Sequence, residues 1–167
     1  DLFKQQNWIA QAEQHGVAMG QTLPTGDAAA PAFAVWAMRD PLSGNLDRIQ
    51  IIKGWVDDAG KSHEKVFNVA WSGLRSLDTA GNLPGVGNTV DATTATYANS
   101  IGSGQLSAVW TDPEFDPLQE AFYYARVIEI PTPRWSTYDA VTLGVPAPEP
   151  ISLQERAVTS AIWYQPQ

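Results

Sequence analysis

Residues 122–135, FYYARVIEIPTPRW, constrain the fold more than any other stretch of the chain. The segment opens as a strand of aromatic and β-branched residues and is stopped by Pro131 and Pro133. A strand that is apolar on both faces has to be covered on both, so the chain around it must fold into layers. Arg126 interrupts the apolar run, and a guanidinium among apolar neighbours needs a carboxylate or a carbonyl beside it.

The remaining patterns supply the layers. Residues 32–38 (AFAVWAM) form a continuous apolar run between Pro31 and Asp40-Pro41, the expectation for a central buried strand. Residues 46–56 and 64–71 alternate around the Gly-containing loop 57–63 and read as an antiparallel hairpin. Residues 105–110 and 154–164 read as two further strands, with an acidic turn at 111–117 and a proline-marked loop after Trp135. One helix is expected, over residues 2–15, where Phe3, Trp8, Ile9 and Ala12 make an apolar stripe and Gly16 stands at the end. Residues 24–31 read as a connection, and 72–103 as a long irregular excursion too extended for an ordinary loop. The expected fold is mainly β: an antiparallel, sandwich-like body with one N-terminal helix. The organisation read from the sequence is a lead-in at 1–23, taken as the tail of an upstream domain, and a β-rich domain at 24–167.

Composition removes several functions. A net charge of -8 opposes binding along a phosphate backbone, which calls for clustered lysine and arginine. No stretch approaches the roughly 20 apolar residues of a membrane-spanning helix. With no cysteine there is neither a disulfide framework nor a thiolate metal site. The chain opens at Asp1 with no initiator methionine or leader sequence, and the expectation is a piece of a longer protein.

Motifs that carry chemistry are scarce. There is no phosphate-cradling glycine loop, no GxSxG and no HExxH. His15 and His63 are too few for a histidine-rich metal centre, and each has a bland reading: His15 suits the end of a helix dipole and His63 a solvated hairpin end. Asp112, Glu114 and Asp116 alternate as calcium ligands can, but prolines 113 and 117 stiffen the segment, and aspartates capping turn amides explain them. Seven tryptophans would make a sugar-stacking platform if exposed in a row, yet Trp36, Trp55, Trp71, Trp110 and Trp163 fall within strands, where core filling is the default. Arg48, Arg126 and Arg156 suit an anionic ligand, and ion pairs with Asp47, Glu129 or Glu155 would account for them equally.

The long blocks carry a resemblance. FYYARVIEIPTPRW preceded by VWTDPEFDP, together with NLDRIQIIKGW, TATYANSIGSGQLS and QERAVTSAIWY, resembles the carboxy-terminal part of a bacterial family catalogued as domain of unknown function 3604. Nearly the whole chain is covered. Two positions depart from the family pattern, Ala161 where TSPIWY is usual and Ala18 where GVPMG is usual, each removing a proline-fixed φ angle.

The resemblance implies a parent several times longer, similar to metal-dependent hydrolases of the polymerase-and-histidinol-phosphatase (PHP) type and to sulfatases. Such a parent would use a zinc or manganese ion to activate water against a sulfate or phosphate ester. Its GDLHxHT-like metal motifs would lie upstream, so no catalytic or metal-binding residue transfers to this chain, and no cofactor is expected within it. Its export signal would favour a periplasmic or secreted location. The expected partner is the upstream catalytic domain, with self-association through apolar surface left bare without it. Residue type marks Arg126, Arg134 and Arg156 as candidates to reach substrate at the rim, with Trp135 and Tyr164 as walls. Two other readings stand beside this one: a carbohydrate-binding module using surface tryptophans, and a purely structural interface domain.

Overall fold

The computed structural model describes residues 2–24 and 29–166, and the fold is mainly β, antiparallel and sandwich-like. Its centre is a pair of long strands, β2 (Leu46–Val56) and β5 (Ala121–Glu129), aligned antiparallel with Gln50 opposite Arg126 and Gly54 opposite Phe122. Because both are flanked by other strands, β2 is buried along almost its whole length, as its run IQII requires.

The hairpin forms as the alternation predicts. β3 (Ser62–Trp71) pairs with β2 across a turn in which the Asp57 N–H donates to the Lys61 carbonyl at 3.0 Å. The turn is shorter than the loop read from the sequence, and β3 begins two residues earlier.

On the far side of β5 the chain from 154 to 164 makes two short strands rather than one, β8 (Arg156–Val158) and β9 (Ile162–Tyr164), after β7 (Ser152–Leu153). The break is held at Thr159. Its Oγ1 accepts from the Ala125 N–H at 3.0 Å, and its own N–H donates to the Ala125 carbonyl at 3.0 Å. A side-chain oxygen thus stands in for the ladder carbonyl, and the chain can leave the strand there without stranding a donor.

The second layer is a ribbon of β1 (Ala32–Met38) paired with β4 (Gln105–Thr111), Phe33 opposite Trp110. The ribbon lies over one face of the large sheet, with Phe33 against Tyr123 (4.6 Å between ring centroids) and Trp110 against Phe67 (4.8 Å). Buried Phe33, Ile51, Ala121, Tyr123 and Tyr164 make the core between the layers. The expectation of a central buried strand at 32–38 is corrected here. β1 pairs on one side only and alternates, Phe33 inward and Ala32, Ala34, Trp36 and Met38 outward. Three alanines made the run look uniformly apolar without demanding cover on both faces.

The amino-terminal helix is also interrupted. A 3-10 turn at Leu2–Lys4 precedes α1 (Trp8–His15). Phe3 and Trp8 both rest on Trp36, each at 5.7 Å. Five positions apart on one continuous helix, they would point about 140° away from each other. Breaking the helix lets both rings meet the same indole. The connection read over 24–31 falls largely outside the described residues.

A second helix, α2 (Trp135–Leu143), occupies what the sequence presents as loop. WSTYDAVTL has no apolar stripe because the face it buries is made of small side chains, two of them hydroxylic: Ser136, Thr137 and Ala140. Thr137 Oγ1 donates to the Ile151 carbonyl at 2.7 Å, tying the helix to the two-stranded pairing of β6 (Thr132–Pro133) with β7. Gly144, at φ +66°, ends the helix in the left-handed conformation.

Residues 72–103 carry no strand, as expected, and they are closed into a loop by both ends meeting β2. The Ser72 N–H donates to the Asp47 carbonyl (2.9 Å), and Ser103 exchanges two backbone hydrogen bonds with Leu46 (2.8 and 2.9 Å).

Candidate functional site

The sequence-selected residues fall in three places. Arg126 in β5 and Arg156 in β8 share one face of the large sheet, the one opposite the β1–β4 ribbon. The register sets this: Arg126 is paired with Val158 and Ile128 with Arg156, so the two arginines are diagonal neighbours. Arg126 is half-buried, and its Nε donates to the Gln50 side-chain oxygen at 2.9 Å. Gln50 in turn donates to Asn68 (2.9 Å), and Asn68 to the Gly81 carbonyl (3.2 Å). The carbonyl partner expected for Arg126 is therefore an amide oxygen. Arg156 is exposed.

Arg134 and Trp135 lie at the start of α2. The Arg134 guanidinium sits 5.9 Å from the centre of the Trp135 ring, which is 68% exposed. Tyr164 lies in the core, its ring edge-on to Phe115 (4.8 Å) and its hydroxyl donating to the Pro117 carbonyl (2.8 Å). Among the described residues, Arg126, Arg134 and Arg156 make no ion pair with a carboxylate.

The best-built polar centres use acids the sequence singles out, Asp112 and Glu114 in the acidic turn and Asp47 as a partner for arginine. They join them to Lys53 and Arg75, to which the sequence reading assigns no role. Lys53, buried in β2, donates from Nζ to Asp112 Oδ2 (2.7 Å) and to the Glu114 carbonyl (2.7 Å). The Tyr123 hydroxyl donates to the same Asp112 oxygen at 2.7 Å, and Lys65 pairs with Glu114. Burial, followed by the hydrogen bond to Asp112, pushes the Tyr123 phenol well above its ordinary range. Lys53 and Asp112 answer each other out of contact with solvent, with the exposed Lys65–Glu114 pair at the edge, so the centre acts as a structural clamp between β2, β3 and the turn after β4. A lysine inside IQIIKGWV carries the same signal that drew attention to Arg126, and it was legible.

The second centre is Asp47, fully buried in β2. It pairs with Arg75 (2.7 Å) and Arg48 (3.3 Å) and accepts from Gln154 (2.9 Å). Arg75 also donates to the carbonyls of Ser72 (3.0 Å) and Pro84 (2.8 Å), so one guanidinium fastens the irregular loop to the sheet. No periodicity marks Arg75, because its partners are set by the return path of the loop.

Aspartates serve the turns as anticipated: Asp112 Oδ1 accepts from the Glu114 N–H, and Asp116 Oδ1 from the Leu118 N–H, each at 2.9 Å. His63 stacks on Trp55 (5.3 Å, 15° between planes) and bonds to Asp57 at 2.7 Å. That bond is the largest cause holding the Asp57 carboxyl below the usual carboxylate range. A depression of about 560 Å³ opens beside this pair, lined by Trp55, His63, Glu64, Phe122 and Trp163. A larger, mainly apolar cavity of about 790 Å³ lies between α1 and β1, against Trp8, Phe33, Trp36 and Tyr123. Among the described residues no three histidine, aspartate or glutamate side chains converge on a point where a metal ion would sit.

A family described as a protein of unknown function, DUF3604, matches residues 1–166. The chain belongs to the DUF3604 family. No curated protein and no solved structure matches it. Within this DUF3604 chain, no helix is long and apolar enough to cross a membrane among the described residues. Of the five strand tryptophans two depart from core filling, Trp36 at 43% exposed and Trp163 at 48%.

Proposed function

We propose that this chain is the non-catalytic β-rich part of a larger metal-dependent ester hydrolase, packed on a catalytic domain that lies upstream. The ester class, sulfate or phosphate, and the PHP-like character of that domain come from the resemblance stated on the sequence. A zinc or manganese ion would supply activated water there, and the residues of this chain do not fit such an ion: no three potential ligands converge among those described.

The observation that carries the reading is the outer side of α2. Trp135, Tyr138, Val141, Leu143 and Val145 are all exposed on one nine-residue helix and its exit, while Ser136, Thr137 and Ala140 are buried and Thr137 ties the helix to the β6–β7 pairing. An apolar face of this kind, rimmed by Arg134, has the make-up of an interdomain contact.

The test is an assay of the purified chain with zinc or manganese against nitrophenyl sulfate and nitrophenyl phosphate. No turnover above buffer is expected, and turnover that survives stringent purification overturns the non-catalytic assignment. The codons preceding Asp1 are expected to encode histidine-rich metal motifs. A reading frame without them removes the parent hydrolase.

A further inference from the structure

The sheet face that bears Arg126 and Arg156 has a second feature, a row of aromatic rings. Paired residues of antiparallel strands share a face, so the register orders this one in successive rows. Gly54, Phe122 and Trp163 form the first row, Ile52 and Tyr124 the second, Gln50, Arg126 and Val158 the third, and Arg48, Ile128 and Arg156 the fourth.

Phe122 lies flat against the sheet because Gly54 leaves room beneath it: a Cβ on Gly54 would stand 2.2 Å from the Phe122 ring. From there the rings continue both ways, to Trp163 at 5.4 Å and to Tyr124 at 6.4 Å with only 12° between planes. The β8–β9 side of this face is open, with Val158 63% exposed and Trp163 exposed, while Ile52, Gln50 and Ile128 on its inner side are buried. From the row of Phe122 to that of Ile128 the strip runs about 20 Å, six residues at about 3.3 Å each.

Charge is divided along the strip. Glu64, opposite Gly54, marks the aromatic end, while the rows of Arg126 and Arg156 hold no carboxylate of their own; Arg48 in the last row is paired with Asp47, whose charge is buried and shared with Arg75. Arg126 is oriented through Nε by the buried Gln50, and neither of its Nη groups has a partner among the described residues. A guanidinium fixed on one side with its outer nitrogens free is set to take an oxyanion in a fork. Adjacent aromatic faces offer apolar surface for the C–H side of a sugar ring. The overall charge of -8 does not prevent this, since salt screens distant charges beyond about 8 Å at physiological ionic strength.

We infer that this strip binds an anionic carbohydrate, its sugar rings on Trp163, Phe122 and Tyr124 and its sulfate or carboxylate groups on Arg126 and Arg156. The inference needs the sheet face alone. It stands or falls independently of the parent hydrolase, which the assay and the upstream codons decide.

The experiment titrates the chain with a sulfated glucan hexasaccharide, following tryptophan emission and binding heat. The unsulfated hexasaccharide, a uronate hexasaccharide and inorganic sulfate are run alongside. The sulfated or the uronate sugar is expected to bind at least tenfold more tightly than the neutral one, and to weaken as salt rises. Which of the two binds tighter identifies the anionic group. Arg156→Gln, at an exposed position, is expected to weaken binding about three- to tenfold. Val158→Glu, which puts a carboxylate between the arginines, is expected to abolish it. Circular dichroism and unfolding midpoints of both variants verify that the fold is kept. Equal affinity for the neutral sugar, an Arg156→Gln variant that binds unchanged, or inorganic sulfate competing as tightly as the hexasaccharide would each overturn the proposal.

Discussion

Lys53 shows how a single residue can constrain the whole chain. An ammonium group cannot be carried into the middle of a buried strand unless an anion meets it there, and Asp112 does so from the turn after β4. Lys53→Met leaves Asp112 buried with only the Tyr123 hydroxyl and a backbone amide, and is expected to cost about 3–5 kcal/mol in denaturant unfolding. An unchanged unfolding midpoint would mean that the pair is not closed to water. At the surface, His63 and Asp57 make a smaller contact with a pH signature. The folded carboxyl titrates below its unfolded value, so its contribution to the turn is complete above the unfolded value and is lost as pH falls through the folded one. A carboxyl-carbon titration by NMR should place Asp57 below the usual aspartate range, and His63→Ala should move it upward. The same midpoint in both proteins would rule out the coupling.

At the scale of elements, β2 and β5 depend on a fit of glycine to ring. Gly54→Ala puts a methyl group where the Phe122 ring lies, and is expected to destabilise by about 1–3 kcal/mol through overpacking. In a Phe122→Ala background the added cost of Gly54→Ala should shrink or vanish, and an equal cost in both backgrounds would show that the ring is not what the methyl group meets. The loop 72–103 depends on Arg75, which answers buried Asp47 and three backbone carbonyls. Arg75→Ala is expected to bring rapid proteolytic nicking within the loop before the sheet unfolds. Nicking no faster than in the unaltered chain would show that the loop is held elsewhere. The hairpin β2–β3 and the irregular character of 72–103 were legible, because alternation and turn chemistry are local. Helix α2 was not. Its buried side is Ser, Thr and Ala, and it is fastened by a threonine to a carbonyl fourteen residues away.

For the molecule as a whole, one layer is finished and another is open. The β1–β4 ribbon covers one side of the sheet, while the outside of α2 stays apolar in water. Sedimentation at rising concentration is expected to show weak self-association, diminished by Trp135→Glu. A clean monomer at high concentration would remove the case for an interface there.

From the sequence alone came the class of fold: period-two alternation, β-branched and aromatic runs and proline stops dictate antiparallel strands in layers, because these are properties of neighbouring residues. Tertiary structure alone decided which strands became central, that Arg126 and Arg156 share a face, and that Lys53 and Arg75 hold the charges of Asp112 and Asp47. Those outcomes turn on register and on contacts between residues far apart in the chain, and a shift of one position would have sent every side chain of a strand to the other side.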